Sequence, residues 1–134
     1  MSINFEGKVA IVTGAGNGLG RSHALALAER GAKVVVNDLG GARDGTGASS
    51  DAAMEVVGLI EANGGEAIAH GANVAKFDEV QDMVAQAMET WGRVDILINN
   101  AGILRDKSFS KMDLADFQLV MDVHLMGSVN CTKA

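Results

Sequence analysis

A chain of 134 residues, 48% hydrophobic and 21% charged, has room for one domain with its own core. Its 11 basic residues are outnumbered by 17 acidic ones for a net charge of −6, and they are scattered, which argues against a nucleic-acid surface. A single cysteine, Cys131, cannot form an internal disulfide, no apolar run is long enough to cross a bilayer, and MSINFEGK carries no export segment, so a cytoplasmic protein without a membrane partner is expected.

The first element is the short apolar run Val9–Val12, β-branched and too brief for a helix, which predicts a buried parallel strand. Thr13 then leads into a turn carrying Gly14, Gly16 and Gly18, with Asn17 between the last two and Leu19 and Gly20 after them. Beyond Gly18 the spacing becomes helical, with Leu19, Ser22/His23, Ala26/Leu27 and Arg30 as its predicted stripe. Strand, glycine turn and helix open a dinucleotide-binding unit: bare backbone lets a pyrophosphate approach, and the helix N-terminus directs amides and a positive dipole end at it. A glycine triplet alone is weak, and a purely structural turn is the alternative. Here the confirming context is Asp38, which follows the second apolar strand, Ala32–Asn37, after a C-cap glycine at Gly31. A carboxylate there accepts the hydroxyls of an adenosine ribose and repels a 2′-phosphate.

The glycine-rich stretch Leu39–Ala48 reads as a surface loop with some prospect of covering the adenosine, since no strand leads into it and no lysine serves it. Ser49 or Ser50 then caps a helix over Asp51–Ala62, with Val56, Val57 and Ile60 facing inward and Asn63-Gly64-Gly65 as its stop. A weak strand, Glu66–Ala69, ends at His70, a polar residue near a turn without a second metal-spaced partner, and no metal site is predicted. The third helix runs from a capping Asp78 to Gly92, with Val80, Met83, Val84, Ala87, Met88 and Trp91 as core residues. Strand four, Val94–Ile98, runs into Asn99-Asn100-Ala101-Gly102. The last helix is predicted from Asp113, in a capping box with Asp116, through to Ala134, with Phe117, Met121, His124/Leu125 and Ser128 on one face and Cys131 packed as a small residue. Strict β-α alternation predicts a Rossmann-type three-layer α/β/α fold over residues 1–134, with a parallel sheet in the order 3-2-1-4.

Thr13-Gly14-(three residues)-Gly18-Leu19-Gly20, together with Asn99-Asn100-Ala101-Gly102, resembles the short-chain dehydrogenase/reductases over essentially every element present. The segments NDLGGARDGTG and NNAGILRDKSFSKM are similar to the (3R)-hydroxyacyl-CoA dehydrogenase region of peroxisomal multifunctional enzyme type 2 and its bacterial relatives. The resemblance implies a coenzyme site made by Thr13, Gly14, Gly16, Asn17, Gly18, Leu19, Gly20, Asp38, Leu39, Asn73, Val74, Asn100, Ala101 and Gly102. Within it, Asn73-Val74 stands where the family has Asp-Val beside the adenine, Asn99 would steady the central sheet, and Ala101-Gly102 would line the nicotinamide ribose. Asn17 and Leu39 occupy positions where NADPH-dependent members place a basic residue, so the expected cofactor is NAD.

Members of this family move a hydride between NAD and a secondary alcohol or ketone, here a 3-hydroxyacyl-CoA/3-oxoacyl-CoA pair by resemblance. His124 stands at the family's helix-four asparagine, which supports a water relay. The family's serine, tyrosine and lysine have no counterpart, and tyrosine is absent altogether. The chain therefore reads as the coenzyme half of a longer enzyme, inactive alone and needing a complementing C-terminal half, with homo-oligomerisation common among relatives. A non-catalytic nucleotide-binding or assembly module is the alternative.

Overall fold

The computed structural model describes residues 3–41 and 50–134. From residue 42 onward the loop reading of Leu39–Ala48, and Ser49 as a cap, lie outside the described residues.

Four strands form one parallel sheet in the order β3-β2-β1-β4, as expected: β1 Val9–Val12, β2 Lys33–Asn37, β3 Ala67–His70 and β4 Ile96–Ile98. β1 is buried along its whole length and its side chains alternate between two cores. Ala10 and Val12, with Val34 and Val36 of β2, pack beneath helices α1 (Gly18–Glu29) and α2 (Asp51–Ala62). Ile11 and Val35 point the other way, onto Met83 and Ala87 of helix α3 (Phe77–Trp91) and onto Cys131. Both faces of the sheet are thus covered, as the near-continuous Val/Ile composition of β1 and β2 requires.

Several local expectations are corrected. The buried face of α1 is Gly20, Ala24 and Leu27, one residue out of phase with the predicted stripe, and Leu19 is 73% exposed. A glycine at position 20 hid the true stripe from a reading based on large apolar residues. Helix α3 is preceded by Lys76, so Asp78 lies in its first turn and complements the dipole instead of capping it. Its Met88 is 47% exposed and Trp91 only half-buried, its indole N–H donating to the Glu66 carboxylate at 3.2 Å. Gly92 ends the helix in the left-handed conformation at φ 77°.

The predicted single last helix has three parts. Helix α4 covers Leu114–Met121, a π-helical turn spans Asp122–Met126, and helix α5 covers Gly127–Lys133. There is no Asp113–Asp116 capping box: Asp113 caps with no side-chain bond, and the Asp116 carboxylate pairs at 2.5 Å with Arg105 of the preceding loop. The predicted face Phe117, Met121, Leu125 points outward, at 46%, 37% and 53% exposure. The inward positions are Leu119, Val123, Gly127 and Cys131, four residues apart, a period the widened turn makes possible. Cys131 is buried as expected, and burial pushes its thiol up to about 11.

Candidate functional site

The C-terminal ends of β1, β2 and β4 open on one side of the sheet, where a doubly wound fold holds its ligands. β1 leaves through Thr13, whose hydroxyl is a buried junction. It accepts the backbone N–H groups of Asn100 and Ala101 at 3.0 and 2.9 Å. In return the Asn100 carboxamide donates to the carbonyls of Thr13 and Gly14, both at 3.1 Å. Asn100, and not Asn99, therefore ties the exit of β4 to the glycine turn. Asn99 is exposed and its carboxamide donates to the Thr132 hydroxyl at 3.4 Å.

The turn itself leaves no room for side chains. A Cβ on Gly14 would lie 2.8 Å from the Ala101 Cα, and one on Gly20 would run into the Gly14 carbonyl and the Asn100 amide. Gly14 also sits at φ +62°, which side-chain-bearing residues seldom adopt. The outcome is a bare approach to the mouth of α1, whose first-turn amides have no intrahelical acceptor and whose first turn holds no acidic residue.

Asp38 follows β2 and its backbone N–H still donates to the His70 carbonyl at 3.2 Å. Its carboxylate turns towards the glycine turn: one oxygen accepts the Gly16 N–H at 2.8 Å and the other the Gly40 N–H at 2.6 Å. Behind it stands Asn37, 1% exposed, whose carboxamide donates to the carbonyls of His70 and Ala72 at 3.1 and 3.0 Å. The Asn37 carbonyl accepts the Ala15 N–H at 2.8 Å. His70 finishes this knot: its Nδ1 accepts the Ala72 N–H at 3.1 Å, which leaves Nε2 to donate to Asp82 at 2.8 Å. Sequence reading passed over Asn37, although a carboxamide closing a run of valines carried a signal.

Together these residues border a cleft of about 570 Å³. Of the predicted positions, Gly14, Asn17, Gly18, Asp38, Leu39, Asn73, Val74, Asn100, Ala101 and Gly102 line it. Thr13, Gly16 and Gly20 act from behind as scaffold, and Leu19 points away into solvent. Ile103, Leu119 and Val123 complete an apolar wall that sequence reading did not identify, because the phase of the last helix was misread. Asp38 is the one ionisable side chain among the described lining residues.

Asn73 uses its carboxamide oxygen to accept the Ala75 N–H at 3.0 Å, and its own N–H donates to Glu79 at 3.0 Å, so it shapes the loop below the cleft. Val74 is fixed by α5: the buried Asn130 carboxamide donates to its carbonyl at 2.8 Å. His124 is outside the lining. Its Nε2 lies 3.0 Å from both the N–H and the carbonyl of Ile103, so either tautomer finds a partner there. A Cβ on Gly102 would stand 2.5 Å from the imidazole ring. His124 thus holds the loop after β4 in place. Among the described residues no cluster of histidine, cysteine or carboxylate side chains suits a metal ion, and no helix is long and apolar enough to cross a membrane.

Comparison with known proteins gives the arrangement its context. A family model described as short chain dehydrogenase matches residues 8–134. The peroxisomal multifunctional enzyme type 2 of Drosophila melanogaster is 55% identical over 132 residues, 98% of this chain and 22% of that protein. A 3-oxoacyl-(acyl-carrier-protein) reductase of Synechocystis is 50% identical over 127 residues, 95% of this chain and 48% of that protein. A crystal structure of a short chain dehydrogenase from Mycobacterium avium matches with a TM-score of 0.86 and 48% identity, over 96% of this chain and 45% of that one. The chain therefore spans less than half the length of each of these relatives.

Proposed function

Since this chain belongs to the short chain dehydrogenase family, we propose that it is the NAD-binding part of an oxidoreductase acting on a secondary alcohol or ketone. The observation that carries the choice of NAD is the isolation of Asp38. Among the described residues it is the one charged group on the cleft wall, and none of the described lining residues is a lysine or arginine that could meet a 2′-phosphate. A phosphate dianion beside that carboxylate would be repelled without compensation, whereas ribose hydroxyls would donate to it. The site fits the coenzyme's other parts as well. The bare backbone at Gly14 and the open mouth of α1 suit a diphosphate, Val74 suits an adenine, and Ala101, Gly102 and Ile103 form a floor for the nicotinamide ribose. When bound, the coenzyme supplies hydride transfer at its nicotinamide ring.

Residues of this chain bind and orient; proton transfer falls to groups outside these 134 residues, so that the segment is inactive without a complementing half. His124 serves as a positioning group, because its Nε2 is already engaged by Ile103. The substrate proposed is a 3-hydroxyacyl or 3-oxoacyl thioester. Support comes from the resemblance of the 37–47 and 99–112 segments and from the name of the Synechocystis relative. The outward apolar row Leu114, Phe117, Leu125 and Val129 favours a partner surface, for a second copy or for the complementing half. It also keeps alive the reading of a non-catalytic assembly module. For location, one buried thiol suits a reducing interior, cytoplasmic as the sequence suggests or peroxisomal as the Drosophila relative's name states of that protein.

Titration calorimetry tests the central point. NAD should bind more tightly than NADP, and Asp38→Ala should weaken NAD about tenfold while leaving NADP unchanged or improved. Equal loss for both coenzymes would remove the ribose assignment.

A further inference from the structure

The Asp38 carboxylate reaches the site only because of what surrounds it. Its two oxygens are each held by a backbone amide, from Gly16 at 2.8 Å on one side and from Gly40 at 2.6 Å on the other. Gly16 contributes more than its N–H. A Cβ at that position would stand 2.7 Å from the Asp38 Oδ2 and 2.8 Å from the Cβ of Ala52 on α2. Both distances are shorter than real Cβ atoms tolerate, and Ala52 is anchored in a helix whose neighbour Ala53 is fully packed. The carboxylate would have to yield, and the turn at position 16 would have to back away from Ala52. Gly16 itself does not line the cleft, so a substituent there does not meet a ligand directly.

We infer that Gly16, assisted by Gly40, is a positioning residue for coenzyme selectivity: it sets where the Asp38 carboxylate stands, and thereby the preference for an unphosphorylated ribose. This rests on the NAD reading above and deepens it. The amides occupy one lone-pair direction of each oxygen and leave the others for two ribose hydroxyls. Hydrogen bonds to a charged acceptor are strong enough to hold that orientation. Displacing the carboxylate removes both an acceptor for NAD and a source of repulsion for NADP, so the two affinities move in opposite directions.

The test is the ratio of NADP to NAD dissociation constants, measured by calorimetry on the wild-type protein, Gly16→Ala, Asp38→Ala and the double variant. Gly16→Ala is expected to lower the ratio about tenfold. In the double variant the Gly16 substitution should have no further effect, since its target is gone. Equal weakening of both coenzymes by Gly16→Ala, or full additivity in the double variant, overturns the inference and leaves Gly16 a turn residue. If Gly16→Ala does not fold, NMR on the wild-type protein and on Asp38→Asn decides. The amide protons of Gly16 and Gly40 should both move upfield in Asp38→Asn, and unmoved signals overturn the inference. A wild-type protein that prefers NADP or binds neither coenzyme sinks the NAD reading itself. A wild-type preference for NAD that Gly16→Ala leaves unaltered sinks only this inference.

Discussion

The β1-α1-β2 half of the molecule and the α4-to-α5 arm are built on different principles. In the first, every residue of β1 and Val34–Asn37 of β2 is buried, and helices on both faces close the core. In the second, α4 has no buried residue, β4 is only half-buried, and Leu114 and Leu125 are 76% and 53% exposed. Here polar ties add to the packing of Val123 and Cys131: Arg105 with Asp116, His124 with Ile103, and Asn130 with the Val74 carbonyl. The contrast teaches that the cleft has one wall set by continuous hydrophobic packing and another in which sparser packing is joined by a few hydrogen bonds.

The largest test of this contrast compares truncations. Ile11→Ala, in the packed half, should cost about 2–5 kcal/mol in urea denaturation. Phe117→Ser, on the outward face of α4, should change stability by no more than about 0.5 kcal/mol in the isolated chain. Similar costs at both sites would erase the distinction. Next in size is Asn130→Ala, which strands the buried Val74 carbonyl; a loss of about 1–3 kcal/mol is expected, with weaker coenzyme binding through the displaced Val74. Unchanged stability and binding would show that the arm does not depend on this tie.

The smallest effect concerns pH at the sheet's other end. Hydrogen bonds from Arg93 and from the Val9 N–H hold the Asp95 carboxyl at about 2, below its usual 3.8. A carboxyl lowered by folding stabilises above its unfolded value, and that contribution fades as pH falls from about 4 towards 2. The denaturation midpoint should decline across that window, and less steeply in Asp95→Asn. Equal slopes would place the acid sensitivity elsewhere.

How much was legible beforehand follows the same divide. The sheet order, the glycine turn and Asp38 were readable because buried parallel strands are written as apolar runs, and anion-binding turns are written as glycines at fixed spacing. The α2 stripe of Val56, Val57 and Ile60 was also readable, since all three are large and buried. Legibility failed where small or polar residues face inward. Gly20 and Ala24 carry little hydrophobic signal, so the face of α1 was placed one residue off. Asn100 took the junction expected of Asn99, because two adjacent identical residues give no clue to which points inward. Along the last helix a 3.6-residue period was assumed, and a π-helical turn breaks it.

That turn has a consequence for how the chain tolerates length change. One residue corresponds to about 100° of rotation in an ordinary helix. Excising a single residue from Asp122–Met126 would restore regular winding and keep Gly127, Asn130 and Cys131 facing the sheet, whereas regular winding at unchanged length would swing them away from it. The segment thus carries one residue more than a regular helix needs, and deep mutational scanning with codon deletions should find single deletions here tolerated better than those in α4 or α5.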